Sequence, residues 1–575
     1  MTLDTFRTTD GGARQGGADL WCTYAAVRTL TWLGRAPADP AATARALLDC
    51  RNADGGFAWQ KGLPSDVWAT YYCTQALRDL GAEIPEQDEL AAWLTATQHG
   101  SGGFAMTEGQ RPDVWATYYA TRTFREVLAR PVPGAAELRD WLGALQRPEG
   151  GLGWYPASAE SDVRACYYGA MAWRAAFSRE RTPWREPDLV DWLGARQTDR
   201  GGFVFDEHAE EPCLWATFRA VRALDALGAK PARTEDCARW ITARQLPGTG
   251  FTRWDAYPDP DVWAAFSAVG ALQTLGGDVP DAAAVETFLH DCELPQGGFT
   301  YRGAEGAGDS LATASLLLVR SAGDDAPSPA DQEAQWLRAA HLPYEGGVMY
   351  MPGRGAEIRC TLWAVSALAT TGSRGPDDAA DGLDADRLTE WLRRLQNRDG
   401  GFGYWHGRAS DMVATVSALE ILRQLDRPAE VLDTAALRAF LDACRDGSGH
   451  RHVPEGRVTC ASTAQAARAL HLIGEREAAR ERLEALAPYA SRLGGYAATP
   501  RGVPDLVSTY QAVLTRQTLG APPRADDDVP RFLDKVRVGT DLYAWSPLGR
   551  RPAGPLAAAL GTLLHRAPAL PPLNL

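Results

Sequence analysis

The feature that most constrains this chain is a phrase it repeats. Gly55-Gly56-Phe57 is followed by Ser65-Asp66-Val67-Trp68-Ala69-Thr70-Tyr71-Tyr72. Gly102-Gly103-Phe104 is followed by Asp113-Val114-Trp115-Ala116-Thr117-Tyr118-Tyr119, and Gly494-Gly495-Tyr496 by Asp505-Leu506-Val507-Ser508-Thr509-Tyr510. Self-similarity at a fixed period marks a repeat architecture, in which each unit buries its apolar face against its neighbours. The residue that opens each apolar run serves as a ruler: Asp19, Asp66, Asp113, Asp162, Cys213, Asp261, Asp309, Glu357, Asp411, Thr459 and Asp505. Steps are 46 to 54 residues, and one more lands near Arg551, ahead of Pro555-Leu556-Ala557-Ala558-Ala559-Leu560, so about twelve units are expected.

Each unit reads as two helices. The first follows the ruler residue and is apolar almost all round, as in Val262-Trp263-Ala264-Ala265-Phe266, which predicts a buried inner helix. The second is amphipathic and ends in Trp-Leu-x-x-x-Gln, at Trp93 to Gln98, Trp141 to Gln146, Trp192 to Gln197 and Trp391 to Gln396. Trp240 to Gln245 is a near match with Ile241. Charged residues between the aromatics put this helix outside, and the glycine turn returns the chain to the next inner helix. The pattern predicts an all-α fold of two α/α toroids, each closed by six helix pairs. The expected division is residues 1–250 and 251–575, with the first helices as candidates to join the other ring. The competing architecture is an open helical-repeat binding scaffold.

Composition narrows the function. Hydrophobic residues make up 45% of the 575 and charged ones 23%, as in water-soluble globular proteins. A net charge of -14 argues against nucleic acid as a partner, since phosphate binding needs a basic surface. No run of about 18 apolar residues predicts a transmembrane helix. The N-terminal Met1-Thr2-Leu3-Asp4-Thr5-Phe6-Arg7 lacks the plan of a signal peptide. The ten Cys are scattered without a CxxC pair, which fits a reducing, cytoplasmic location. The excess is in tryptophan, with 20 residues.

The Trp-Leu-x-x-x-Gln-(turn)-Gly-Gly-Phe phrase resembles the QW motif of squalene–hopene cyclases and related class II terpene cyclases. The broader repeat resembles that of protein prenyltransferase β subunits. The resemblance covers nearly the whole chain. It implies γ-like (1–250) and β-like (251–575) barrels, with the active site in the latter. It also implies an isoprenoid substrate, a prenyl diphosphate of farnesyl or geranylgeranyl length. Asp534-Lys535 with Trp545-Ser546-Pro547-Leu548 is similar to the Asp-Lys-Trp and Ser-Pro tail of class II diterpene cyclases. Carbocation chemistry needs a dry cavity with aromatic faces, which an excess of Trp could line or which it could simply fill.

The family's acid is the middle Asp of a DxDD-Thr motif on the second inner helix of the C-terminal ring. The counterpart here is Glu357-Ile358-Arg359-Cys360-Thr361, and no unit carries a carboxylate at the acid's position. Arg359 cannot donate a proton but can clamp a diphosphate, and Glu357, paired with it, would be a poor donor. Asp309 and Asp261 are the alternative acids, weighed against plain helix N-capping. Substrate contact is assigned to Arg359 and Cys360, with Trp263, Trp363, Tyr404, Trp405, Arg354 and Trp545. No cofactor is expected beyond magnesium accompanying a diphosphate. Asp162-Val163-Arg164 and Glu357-Ile358-Arg359 also resemble a prenyltransferase motif, but no unit offers that family's Asp-x-Cys zinc ligands. A metal-free prenyltransferase of a small acceptor therefore stays open. His450-Arg451-His452 and Asp526-Asp527-Asp528 read as surface residues and a solvated charge run.

Overall fold

In a computed structural model of the chain, each of the eleven ruler residues from Asp19 to Asp505 sits immediately before an inner helix. The structure describes all residues except 1–2, 9–10, 15–18, 60–64, 109, 157, 159–160, 179, 206–210, 256–258, 304–306, 324–326, 343–344, 352–354, 373–382, 407, 455, 525–526 and 550. The inner helices are α1 (Leu20–Trp32), α2 (Val67–Asp79), α3 (Val114–Arg122), α4 (Val163–Phe177), α5 (Leu214–Ala226) and α6 (Val262–Leu275). They continue as α7 (Ser310–Ser321), α8 (Ile358–Leu368), α9 (Met412–Gln424), α10 (Cys460–Leu472), α11 (Leu506–Thr518) and α12 (Pro555–Arg566). Every ruler side chain except Cys213 accepts a backbone N–H of the first turn, the usual work of an N-cap. The twelfth inner helix starts after Gly554, three residues beyond the expected step.

The chain forms two units, Gly17–Gly306 and Met1–Gly16 with Ala307–Leu575. This moves the expected boundary from 250/251 to 306/307. Asp261 and Trp263 therefore belong to the first unit, not to the C-terminal ring. The reason is packing: α6 lies against α5 and against α1, closing a ring of α1 to α6. In the second unit α7 to α12 pack successively and α12 returns to α7. What crosses over at the N-terminus is a turn, not a helix pair.

One hydrogen-bond pattern joins most turns to their helices, with Cys166 replacing the threonine in α4 and with Ala265 and Ala558 at that position in α6 and α12. The N–H of the turn aromatic donates to a helix Thr Oγ1: Phe57 to Thr70 at 3.0 Å, Phe104 to Thr117 at 3.0 Å, Phe402 to Thr415 at 3.1 Å and Tyr496 to Thr509 at 3.0 Å. The N–H of the ruler residue donates back to the aromatic's carbonyl, as from Asp66 to Phe57 at 3.1 Å. At the two ring closures the partners are about 300 residues apart in order. Phe299 serves α1 through Thr23 and Asp19, and Ala13 serves α7 through Thr313 and Asp309. Thr8 to Ala13 is thus the glycine turn of the seventh repeat, placed ahead of the first.

The outer helices explain the second motif. Gly102 holds φ +102°, which suits glycine, and a Cβ on Gly103 would lie 2.5 Å from the Trp141 indole. Trp141 belongs to the following outer helix, Ala135–Gly143, so each Trp packs on the preceding glycine pair. Gln98 Nε2 donates to Gly102 O and Pro133 O at 3.0 and 2.9 Å, tying its own turn to the start of the next outer helix. Both conserved-looking letters of the Trp-Leu-x-x-x-Gln phrase are structural in this chain. Asp527 is not a solvated charge: it is buried and accepts the Tyr496 hydroxyl at 2.5 Å, while Asp528 caps the helix Val529–Val536 and Asp526 lies outside the described residues.

Thr415→Val keeps the shape but removes the acceptor for the buried Phe402 N–H, and should lower unfolding free energy by about 1–3 kcal/mol, whereas Thr415→Ser should recover most of it. Urea titration of the two variants measures the difference.

Candidate functional site

Capping, the turn bond or both set the start of every inner helix but α12, which follows Gly554, and residues at equal helix positions line one level of each lumen. The two units fill those levels differently. In the first, the second helical residues are Trp21, Trp68, Trp115, Arg164, Trp215 and Trp263. Trp21 stacks on Trp263 at 4.3 Å, Trp215 stands edge-on to Trp21 at 5.6 Å, and Trp68 meets Trp115 at 4.3 Å. One turn deeper, Tyr24 stacks on Tyr72 at 4.2 Å, the hydroxyls of Tyr72 and Tyr119 lie 3.2 Å apart, and those of Tyr118 and Tyr167 lie 2.8 Å apart. Fifteen of the 20 Trp lie between residues 17 and 306. The tryptophan excess is thus mostly the packing of the first unit, and Trp263 is part of it.

Within that aromatic packing, Asp261 caps α6 through Ala264 N–H at 2.7 Å and is fully buried. Burial pushes its carboxyl up to about 6, against the opposing pull of Arg302, the Ala264 N–H, Arg253 and Tyr301. Burial likewise pushes Asp66 up to about 6. A raised carboxyl beside aromatic faces is the chemistry expected of an acid, but Asp261 caps a helix whose Trp263 is packed against Trp21 and Trp215, with Trp21 stacked in turn on Tyr301.

In the second unit the same second positions hold Leu311, Arg359, Val413, Ala461, Val507 and Leu556. Where the first unit has a layer of indoles, the second has mostly short aliphatic side chains at this level, of which Ala461 and Val507 are partly exposed; this level and the turns around it are called the bowl of the second unit. Its rim comes from the residue two places after each turn aromatic, whose carbonyl accepts the first N–H of the preceding inner helix. Tyr350 serves Ser310 at 2.8 Å, Tyr404 serves Ile358 at 3.0 Å, His452 serves Met412 at 2.9 Å and Trp545 serves Leu506 at 2.9 Å.

At this rim stand Glu357 and Arg359. Glu357 Oε1 accepts Arg359 N–H at 2.9 Å and Nε at 3.1 Å, while Oε2 accepts Nη2 at 3.2 Å and the Cys360 thiol at 3.1 Å. The Arg359 guanidinium lies 4.5 Å from the centre of the Tyr404 ring, and Trp405 is 6.3 Å beyond. Burial pulls Arg359 down, but Glu357 and Tyr404 outweigh it and the net shift is upward, so its charge is permanent. Burial, aided by Glu357, pushes the Cys360 thiol well up, which keeps it protonated and unreactive. Asp309 is buried, caps α7 through Ala312 N–H at 2.8 Å, and its charge acts on the same thiol. Burial and the Asp411 charge push the Tyr404 hydroxyl up, against Arg359.

The structure therefore brings together Asp309, Glu357, Arg359, Cys360, Tyr404 and Trp405, and adds Trp545 as another rim residue. It removes Trp363 from the group: that indole is fully buried, and its Nε1 donates to Asn574 O at 3.0 Å. Cys360 is also fully buried and supports Glu357 rather than facing a ligand. Arg354 lies outside the described residues. The sequence reading missed Tyr350 and took His452 only as a surface residue; its side chain is half-exposed and lies 3.9 Å from Asp411. Their signal was the fixed offset from the turn aromatic. His450 is not on the surface but buried, and burial lowers it to about 4. Among the described residues no three His, Cys, Asp or Glu are placed to hold a metal ion, and no helix is long and apolar enough to cross a membrane.

The sequence matches the prenyltransferase alpha-alpha toroid domain over residues 2–66, 60–302, 179–354 and 261–492. Among solved structures it is similar to ent-copalyl diphosphate synthase from Streptomyces platensis, at 18% identity over 95% of each chain with a TM-score of 0.45. It is also similar to the type II terpene cyclase MstE from Scytonema, at 16% identity over 49% of this chain and 95% of that one, TM-score 0.36. Candida albicans protein geranylgeranyltransferase-I complexed with GGPP matches 44% of this chain and 83% of its own at 14% identity, TM-score 0.35. No curated protein matches the chain.

Asp261 supplies a stability test. Its carboxyl titrates near 6 when folded and near 3.9 in an unfolded chain, so its contribution is fully present below about pH 4 and lost as pH rises through about 6. Asp261→Asn keeps the cap and should be more stable than the parent by on the order of 1–3 kcal/mol above pH 6, with the gap closing toward pH 4. Thermal melts across pH 4 to 8 measure it.

Proposed function

Since the chain belongs to the prenyltransferase alpha-alpha toroid family, we propose that it is a terpene-cyclase-type enzyme that receives a prenyl diphosphate in the bowl of the second unit. The observation that carries this reading is the exchange of side chains at one level of two equivalent rings. Where the first unit has Trp21, Trp68, Trp115, Trp215 and Trp263, the second has Leu311, Val413, Ala461, Val507 and Leu556. Short apolar walls suit a hydrocarbon chain, whose transfer from water is favoured by burial alone. The rim supplies the polar end. Arg359 carries a permanent charge for the diphosphate, and magnesium would come bound to that group. Tyr350, Tyr404 and Trp545 offer ring faces to a carbocation.

In this reading Asp309 is the acid. Its proton passes to the terminal alkene, the resulting tertiary cation is captured by the next double bond, and loss of a proton ends the sequence with the diphosphate intact. Glu357 does not suit that step, because both of its carboxyl oxygens are already engaged by Arg359 and the Cys360 thiol. Its role is to hold Arg359 against Tyr404.

Farnesyl and geranylgeranyl diphosphate, incubated with the protein and followed by mass spectrometry, test the reading. A cyclised product that keeps its diphosphate supports it, and diphosphate release with prenylation of an added acceptor would reassign the reaction to transfer. Ala461→Trp rebuilds in the second unit what the first already tolerates, and should abolish turnover while leaving the melting midpoint close to the parent's. Asp309→Asn retains the cap and should cost about 1 kcal/mol or less in stability but at least about a hundredfold in turnover. Full activity in Asp309→Asn would remove it as the acid. Arg359→Ala should abolish turnover with the fold retained.

A further inference from the structure

Below the bowl, the lumen of the second unit is filled by residues 570–574. This segment climbs the lumen level by level. Leu570 N–H donates to Gln517, the twelfth residue of α11, at 2.9 Å. Pro572 O accepts Ser366 Oγ, the ninth residue of α8, at 3.5 Å. Leu573 O accepts Gln511 Nε2 at 2.7 Å and Asn574 O accepts Trp363 Nε1 at 3.0 Å, both from sixth residues. Asn574 also donates to Ser417 Oγ at 3.1 Å, another sixth residue, and accepts Arg468 Nη2 at 2.7 Å. Tyr510 OH donates to Pro571 O at 2.7 Å. The next level up carries Leu311, Arg359, Val413, Ala461 and Val507, and the next residue along the segment is Leu575.

The helices are cut to receive this segment. At the fifth and sixth positions, where the first unit has Tyr71, Tyr72, Tyr118, Tyr119, Tyr167 and Tyr168, the second has Ala314, Ser315, Val416, Ser417, Ala464 and Gln465. Arg468 is fully buried and pairs with the equally buried Glu420 at 3.2 Å, so the charge that grips Asn574 is itself neutralised. Leu575 is only half-buried, against the core of the unit.

We propose that the segment 570–575, with Leu575 uppermost, is the floor of the bowl and sets the longest isoprenoid chain that the site accepts. The proposal rests on the reading of the bowl as the prenyl site. Chain length is then encoded in a residue that contributes nothing to the chemistry. Prenyl groups shorter than the depth to Leu575 gain contact with every added isoprene unit, and the first that overruns it must displace the segment and the six hydrogen bonds holding residues 571–574.

Calorimetric titration of the full chain with geranyl, farnesyl, geranylgeranyl and geranylfarnesyl diphosphate tests this. In the parent, affinity should rise with length and then fall by about tenfold at one step. Leu575→Gly should move the fall to a longer chain by one isoprene unit, and Leu575→Trp to a shorter one. Both variants keep the hydrogen bonds of residues 570–574, so both should fold, as unchanged melting midpoints would show. A fall that stays in place in both variants, or affinity that climbs through all four lengths in the parent, overturns the floor while leaving the prenyl site standing. No binding of any of the four to the parent or to either variant overturns the reading of the bowl itself.

Discussion

The rest of the structure depends on the bond from a turn N–H to a threonine one turn inside the next helix. Thr Oγ1 accepts from the turn aromatic and donates to a carbonyl of its own repeat, as Thr117 does to Asp113 O at 2.8 Å. The hydroxyl therefore satisfies a buried donor while spending its own, which neither Val nor Ala can do. With the N-cap, it pins where most of the inner helices start. Equal positions in six helices then fall at one height, and the lumen becomes a stack of levels that the sequence can fill independently. At α4 the same place is taken by Cys166, whose sulfur accepts Leu152 N–H at 3.2 Å, so the geometry survives a weaker acceptor.

Those levels account for the difference between the units. Indoles and phenols meeting at 4 to 6 Å close the first lumen from within, and the cost of burying the tyrosine hydroxyls is met by pairing them. In the second lumen α7, α9 and α10 carry Ala, Ser, Val and Gln at those positions in place of large rings, while α8 and α11 keep Trp363 and Tyr510. Left alone, its sixth-level donors would be buried without acceptors, a cost of about 1–3 kcal/mol each. The extended residues 571–574 supply carbonyls at the required heights. The second unit can thus have a filled lower lumen and a bowl above it at once.

The repeat was legible because capping, glycine turns and apolar inner helices are local signals, and eleven of the ruler residues stand where the period placed them. The ring boundary was not, because closure is a long-range fact. Thr8 to Ala13 carries a glycine turn but no aromatic, and nothing in order along the chain says that its partner is Thr313. The tryptophans were readable as aromatic but not as filler, since whether Trp21 lines a hole or stacks on Trp263 depends on five other helices. Trp363 shows the same limit: its place in the repeat suggested a lining residue, and only the path of residues 570–574 shows what its Nε1 meets. Tyr350 was missed, and His452 was read only as surface, because the reading followed helices, whereas the rim is made by backbone carbonyls of the turns.

The Glu357–Arg359 pair has an internal control. Arg164 makes the same grip on Asp162, through Nε at 2.8 Å and Nη2 at 2.5 Å, in the other unit. Both are an acidic cap and the second helical residue, so the pair itself follows from helix geometry and marks no function. What differs is the company. Arg164 leans on Phe205 at 4.6 Å and Trp154 at 5.9 Å, in a layer filled by indoles. Arg359 leans on Tyr404 over a level of Leu, Val and Ala, and its partner is longer by one methylene and braced by a thiol. A charge beside packed rings has only a structural role open to it. Arg359 stands instead over a level of shorter side chains, and that contrast, rather than the pair, directs attention to the second unit.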